Sequence, residues 1–162
     1  MFWFILSALS ILLLYSLLQG APYVPTKRST AERAFALLGL QKGELFVDIG
    51  CGDGVMLKHA AERGCDAVGI EINPLLWAVA AWRCRNYKNI KVVWGNMWNW
   101  HLPAGTAGVF LFGAGPFMER LSKWLTREKE LTNSSFKVVS FGFLLPGHKP
   151  RAKHGALFLY IL

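Results

Sequence analysis

Apolar positions fall into three patterns along the chain. From Phe2 to Leu18 they form a run interrupted only by Ser7, Ser10 and Ser16, and no charged side chain occurs in the first 26 residues. As a helix this run would measure about 26 Å, a little less than the ~30 Å hydrocarbon core of a bilayer. Trp3 and Tyr15 lie near its two ends, where amphipathic rings favour the membrane interface. A cleaved secretory signal would carry basic residues ahead of the run, and none is present, so residues 1–19 read as an uncleaved membrane anchor. Lys27 and Arg28 follow the run, and the positive-inside rule then predicts a single-pass protein with its remaining domain on the cytoplasmic side. Residues 20–29 contain Pro22 and Pro25 without periodicity and read as an extended linker.

From residue 30 to 162 short apolar runs alternate with helical periodicity. Ser29 or Thr30 is expected to cap a helix over Ala31–Leu38, which Gly39 ends. The runs Glu44–Ile49, Asp66–Ile70, Ile90–Trp94, Val109–Phe112 and Lys137–Phe143 predict five strands, and Ala156–Leu162 predicts a last one. Helices are predicted at Val55–Arg63, at Pro74–Asn86 with proline in the first turn, and at Met118–Leu131. Strands alternating with helices imply an α/β domain with a mostly parallel, Rossmann-like sheet covered on both faces. The basic stretch His148–His154 is expected to be a loop, leaving a sixth strand vestigial or absent.

Composition narrows the class. At 162 residues the chain has room for one domain, and 53% hydrophobic against 17% charged residues excludes a disordered chain. The net charge of +8 is uneven: residues 1–81 hold six basic and seven acidic side chains, residues 82–162 twelve and three. A basic half suits an acidic partner such as nucleic acid, anionic lipid or an acidic protein surface, and also suits plain solvation. Cys51, Cys65 and Cys84 form no CxxC and no Cys/His cluster, which argues against a disulfide framework and a zinc site and for small buried thiols.

Three segments carry the chemistry. The first, Leu45 to Gly54, is strand, glycine loop and helix start, with Asp48, Gly50, Gly52, Asp53 and Gly54 in a D-x-G-x-G-D-G pattern. Such a loop brings backbone close to a ligand at a helix N-terminus. A dinucleotide fingerprint would need glycine at position 55, where this chain has Val55. Asp48 would repel a pyrophosphate but suits the amino group of an amino-acid-like ligand, which favours S-adenosyl-L-methionine. The second segment ends in Glu71, whose carboxylate at the tip of the second strand can accept both ribose hydroxyls. The third follows the third strand, where Asn96 is expected at the adenine amino group and Met97 or Trp98 over the ring.

With these segments in place the chain resembles the class I S-adenosylmethionine-dependent methyltransferases. Within them it is similar to the FAM173 and archaeal broad-specificity protein-lysine methyltransferases. The resemblance covers about residues 21–145 and rests on Pro22-Tyr23-Val24-Pro25-Thr26, the Asp48–Gly54 loop and Glu71-Ile72-Asn73-Pro74. It implies a class I methyltransferase fold, here C-terminally shortened, a protein-lysine substrate, and Tyr23 and Thr26 over the cofactor or the methyl-acceptor channel. Departures are Val55, where relatives commonly carry Arg, and Asn96, where many carry Asp. Phe112–Pro116, after the fourth strand, is the expected acceptor side and lacks the [DN]-P-P-[YF] of adenine-amine methylation. Two rival readings stand beside lysine methylation: an RNA or small-molecule methyltransferase, suggested by the basic second half, and an inactive membrane-anchored binding module.

Overall fold

The structure is a computed structural model that describes Trp3, Ser7 and residues 24–113 and 115–162. The expected membrane anchor therefore lies, apart from Trp3 and Ser7, outside the described residues, as does Tyr23. Among the described residues no helix is long and apolar enough to cross a membrane.

The elements are α1 (Arg28–Leu38), β1 (Leu45–Ile49), α2 (Val55–Glu62), β2 (Asp66–Glu71), α3 (Pro74–Cys84), β3 (Ile90–Trp94), β4 (Thr106–Phe112), α4 (Met118–Thr132), β5 (Lys137–Phe141), β6 (Ala152–His154) and β7 (Leu157–Ile161). They build a seven-stranded sheet in the order β3-β2-β1-β4-β5-β7-β6. The first five strands are parallel, β7 is antiparallel to β5, and β6 is antiparallel to β7. The strand runs are apolar without alternation because both faces are covered. Phe46, Phe110 and Val139 join α1, α2 and α3 in one core cluster, while their neighbours Val47, Val109 and Val138 join α4 in the other.

Several expected boundaries move. Helix α1 begins at Arg28, inside the expected linker, with Lys27 as its N-cap and no side-chain cap, so Ser29 and Thr30 sit in its first turn. Strand β4 starts at Thr106, three residues early, because the Thr106 hydroxyl and N–H both bond to the Pro103 carbonyl and set the turn. The basic stretch expected as a loop supplies β6, so the sixth strand is present. It is three exposed or half-exposed residues paired to β7 alone, and so short a strand leaves no hydrophobic period to read.

Neither the β3–β4 nor the β5–β6 connection contains an α-helix, and side chains hold each in its place. Residues 142–151 are pinned by the Tyr160 hydroxyl, which accepts from Leu145 N at 3.0 Å, and by Ser122 Oγ, which donates to the Pro146 carbonyl at 2.6 Å. The β3–β4 connection is held by Glu128 of α4. This carboxylate is fully buried, accepts from Leu102 N at 2.9 Å, and faces His101 Nδ1 at 3.0 Å. A buried N–H without a partner costs about 1–3 kcal/mol. Glu128→Ala is therefore expected to lower unfolding free energy by about that amount, read from urea denaturation, and an unchanged midpoint would show that the connection does not depend on it.

Candidate active site

The site lies at the carboxyl ends of β1, β2 and β3, beside the sheet's central strand. Strand β1 is flanked by β2 and β4, so its terminal residues are shielded from water and only the loop beyond Ile49 reaches the surface. That loop turns at Gly50, which is exposed, has φ +73°, and would place a Cβ in open space. The left-handed backbone requires glycine, and the open side of the turn leaves its backbone accessible to a ligand. At Gly54, φ is +80° and an added Cβ would sit 3.1 Å from Ala80 Cβ and 3.3 Å from Cys84 Sγ. Glycine there lets α2 begin against α3.

Asp48, the penultimate residue of β1, is 3% exposed, and among the described residues no donor reaches its carboxylate. Burial pushes its pKa well above the ordinary carboxylate range, and the charges of Glu71 and then Asp53 add to the push. A carboxyl at this depth favours its neutral form, and a cationic ligand group beside it would favour the charged one.

Glu71 is also buried, but it is fully tethered. Its Oε2 accepts from Gly52 N at 2.9 Å and its Oε1 from Asn73 N at 2.8 Å. Each oxygen retains a second lone pair, the capacity to accept a hydroxyl apiece. Asn73 next to it caps α3 by accepting from Leu75 N and Leu76 N. Gly95 N bonds to the Glu71 carbonyl at 2.9 Å, which brings the β3 end alongside.

The remaining expected residues divide. Asn96 is half-buried beside this edge and caps the short turn Met97–Asn99, accepting from Trp98 N at 3.0 Å. Met97 packs partly buried against the α4-side core, and the Arg120 guanidinium stacks 4.0 Å over the Trp98 ring. Gly52 is buried and gives its N–H to Glu71. Asp53 has a different partner: Arg83 Nη1 binds its Oδ2 at 2.6 Å and its carbonyl at 2.8 Å, so its carboxylate braces the loop against α3. Thr26 is half-buried in the extended stretch before α1. The three thiols are buried and free, with burial pushing each pKa up, so none is poised as a nucleophile.

Sequence reasoning missed Arg83, because a brace thirty residues from its partner leaves no local pattern. It also missed the aromatic group at the β4 and β5 ends, where the Phe112 ring lies 5.6 Å from Phe141 and 6.4 Å from Phe143. The aromatic run across β4 and β5 was the available signal.

Strand order, glycine loop and paired acids together define the seven-stranded, Rossmann-like methyltransferase fold. The chain belongs to the family described as the ANTKMT methyltransferase domain, whose family model matches residues 48–152. It is 33% identical over 132 residues to the ATP synthase C-subunit lysine N-methyltransferase of Homo sapiens, covering 80% of this chain and 54% of that protein. The Xenopus laevis protein of the same description is 30% identical over 132 residues, covering 80% and 56%. The chain thus spans about half the length of the curated relatives it matches. Among solved structures, an RNA methyltransferase from Salinibacter ruber in complex with S-adenosyl-L-homocysteine superposes with a TM-score of 0.74 at 22% identity, covering 85% of this chain and 92% of that one.

The raised Asp48 pKa fixes a pH dependence. The folded chain holds this proton more tightly than the unfolded chain, so stability is full below the unfolded carboxylate value of about 4 and falls as pH rises through the raised folded value. The ligand-free protein is expected to lose urea resistance over that window, and Asp48→Asn to flatten the slope and be the more stable form at neutral pH. An identical pH profile for the two would contradict the assignment.

Proposed function

We propose that this domain binds S-adenosyl-L-methionine and methylates the side-chain amine of a protein lysine. The observation that carries the reading is the pair of buried acids, Asp48 at the end of β1 and the tethered Glu71 one strand away, on either side of the Gly50–Gly54 loop. The family, and relatives whose names specify lysine N-methyltransferases, support the substrate class.

The residues fit the donor. Asp48 is assigned to its ammonium, Glu71 to the ribose hydroxyls, and the backbone of Gly50, Gly52 and Gly54 to the edge of the cradle. Asn96 and Met97 are assigned to adenine, Tyr23 to orientation of the acceptor, and Thr26 to contact with the cofactor. Asp53 contributes by holding the loop through Arg83. S-adenosyl-L-methionine supplies a methyl group already activated on a sulfonium, so the protein's main task is alignment of donor and acceptor. Phe112, Phe141 and Phe143 form an apolar wall for the lysine stem. Such a wall disfavours the charged ammonium and so lowers the amine's pKa toward the neutral, nucleophilic form. On this reading residues 1–19 anchor the protein in a membrane, with the catalytic domain on the cytoplasmic side.

A hydrogen bond to a charged group is worth about 1.5–3 kcal/mol, equivalent to roughly 10–150-fold in affinity. Asp48→Asn and Glu71→Gln are each expected to weaken S-adenosyl-L-homocysteine binding by about that factor in calorimetry. The Asp48→Asn loss should shrink as pH falls, because the wild-type acid is then protonated as well. Incubation of a lysate with methyl-labelled donor is expected to give label in protein, recovered as methyl-lysine after hydrolysis. Label confined to RNA or small molecules would replace the lysine assignment, and binding without any label would leave an inactive module.

A further inference from the structure

We propose that the outer face of α3, together with the exposed end of edge strand β3, is a seat for an anionic lipid bilayer. It is a second membrane contact, separate from the N-terminal run and independent of the methyl-transfer reading.

Helix α3 has the sequence PLLWAVAAWRC and is apolar around its circumference. Ala80 and Cys84 face inward and are buried. Leu75, Ala78, Val79 and Trp82, three and four residues apart, form the opposite stripe, and Leu75, Val79 and Trp82 are 59%, 44% and 66% exposed. Trp94, at the tip of β3, is 61% exposed beyond the helix's N-terminal end, where its indole N–H donates to the Ile72 carbonyl at 3.1 Å and its ring lies 6.0 Å from Trp77. A water-facing helix is ordinarily polar on its outer side, as α4 is with exposed Glu119, Lys123, Arg127 and Glu130. An exposed apolar stripe of four turn-spaced side chains marks a contact surface.

Charge selects the occupant. Between Ile72 and Met118 there are four basic residues and no acidic one. Arg83 is paired with Asp53, while Arg85, Lys88 and Lys91 are exposed at the end of α3, in the following turn and on β3. The Arg85 guanidinium lies 4.4 Å over the Trp82 ring and donates to the Trp82 carbonyl at 2.7 Å. Exposed apolar side chains with a cation over the Trp82 ring, in a stretch where Arg85, Lys88 and Lys91 outnumber the one exposed acid beside them, Asp66, match a surface that is apolar inside and negative at its rim: acyl chains beneath anionic headgroups. A second copy of the same face would bring the three cations against their counterparts, which opposes self-association.

The test uses the full chain with a nitroxide at Val79→Cys, a half-exposed site, the native thiols being buried. On phosphatidylserine-containing vesicles the label is expected to move from collision with a water-soluble nickel chelate to collision with membrane-dissolved oxygen. A label at Lys129→Cys on α4 should stay in water. Each cation near an anionic surface contributes about a fivefold factor, so Arg85→Ala and Lys88→Ala should each reduce the anionic-vesicle population of the immersed state about fivefold. A Val79 label that remains in water on vesicles the chain has bound overturns the proposal. So does equal immersion on pure phosphatidylcholine, and so does spin–spin broadening without vesicles, which would assign the face to a second copy.

Discussion

One carboxylate holds the ligand edge of this domain together. Glu71 ends β2 and accepts the N–H of Gly52 from the loop after β1 and the N–H of Asn73 ahead of α3. Its own backbone carbonyl receives Gly95 N from the end of β3. Three segments that are far apart in sequence are thereby set at fixed distances around a single buried acid. The loop is held from its other side by Arg83 on Asp53. A cradle of glycines alone would be too free to hold a shape, since glycine loses the most conformational entropy on ordering. The hydrogen bonds to Glu71 and the Arg83 brace supply the order that glycine composition lacks.

Asp48 stands in contrast to this tether. It is equally buried, close enough to Glu71 and Asp53 to feel their charge, and has no donor among the described residues. Burial therefore disfavours the charged form of this acid, which a cationic group beside it would restore. Local sequence rules favour such a residue nowhere in a strand, and violations of this kind concentrate at functional sites. The acid that stabilises the loop and the acid that costs stability are one strand apart, and the difference between them is whether backbone N–H groups point at the oxygens.

The same chain treats its two helical layers differently. Helix α4 is polar outside and sends Glu128 inward to hold the β3–β4 connection. Helix α3 is apolar on both sides and carries its cations at one end. Placement at the edge of the sheet leaves the outer side of α3 with nothing from the described residues to cover it, which is why its composition reads as a contact surface rather than a core.

Much of the architecture was written in local pattern. Five parallel strands and the helices between them followed from apolar runs bounded by glycine and proline. The positions of Asp48, Gly50, Gly54 and Glu71 at the sheet edge followed from strand-loop-helix punctuation. These are properties of a few consecutive residues, so sequence alone determined them. Strand β6 was not legible, because an alanine and two polar residues become a strand only when β7 lies beside them. The pairing of Asp53 with Arg83 and the depth at which Asp48 and Glu128 are buried were decided by tertiary structure. Each depends on which groups from distant segments arrive within about 3 Å, the reach of a hydrogen bond, and on how completely water is excluded, and neither quantity is encoded in any single stretch of chain.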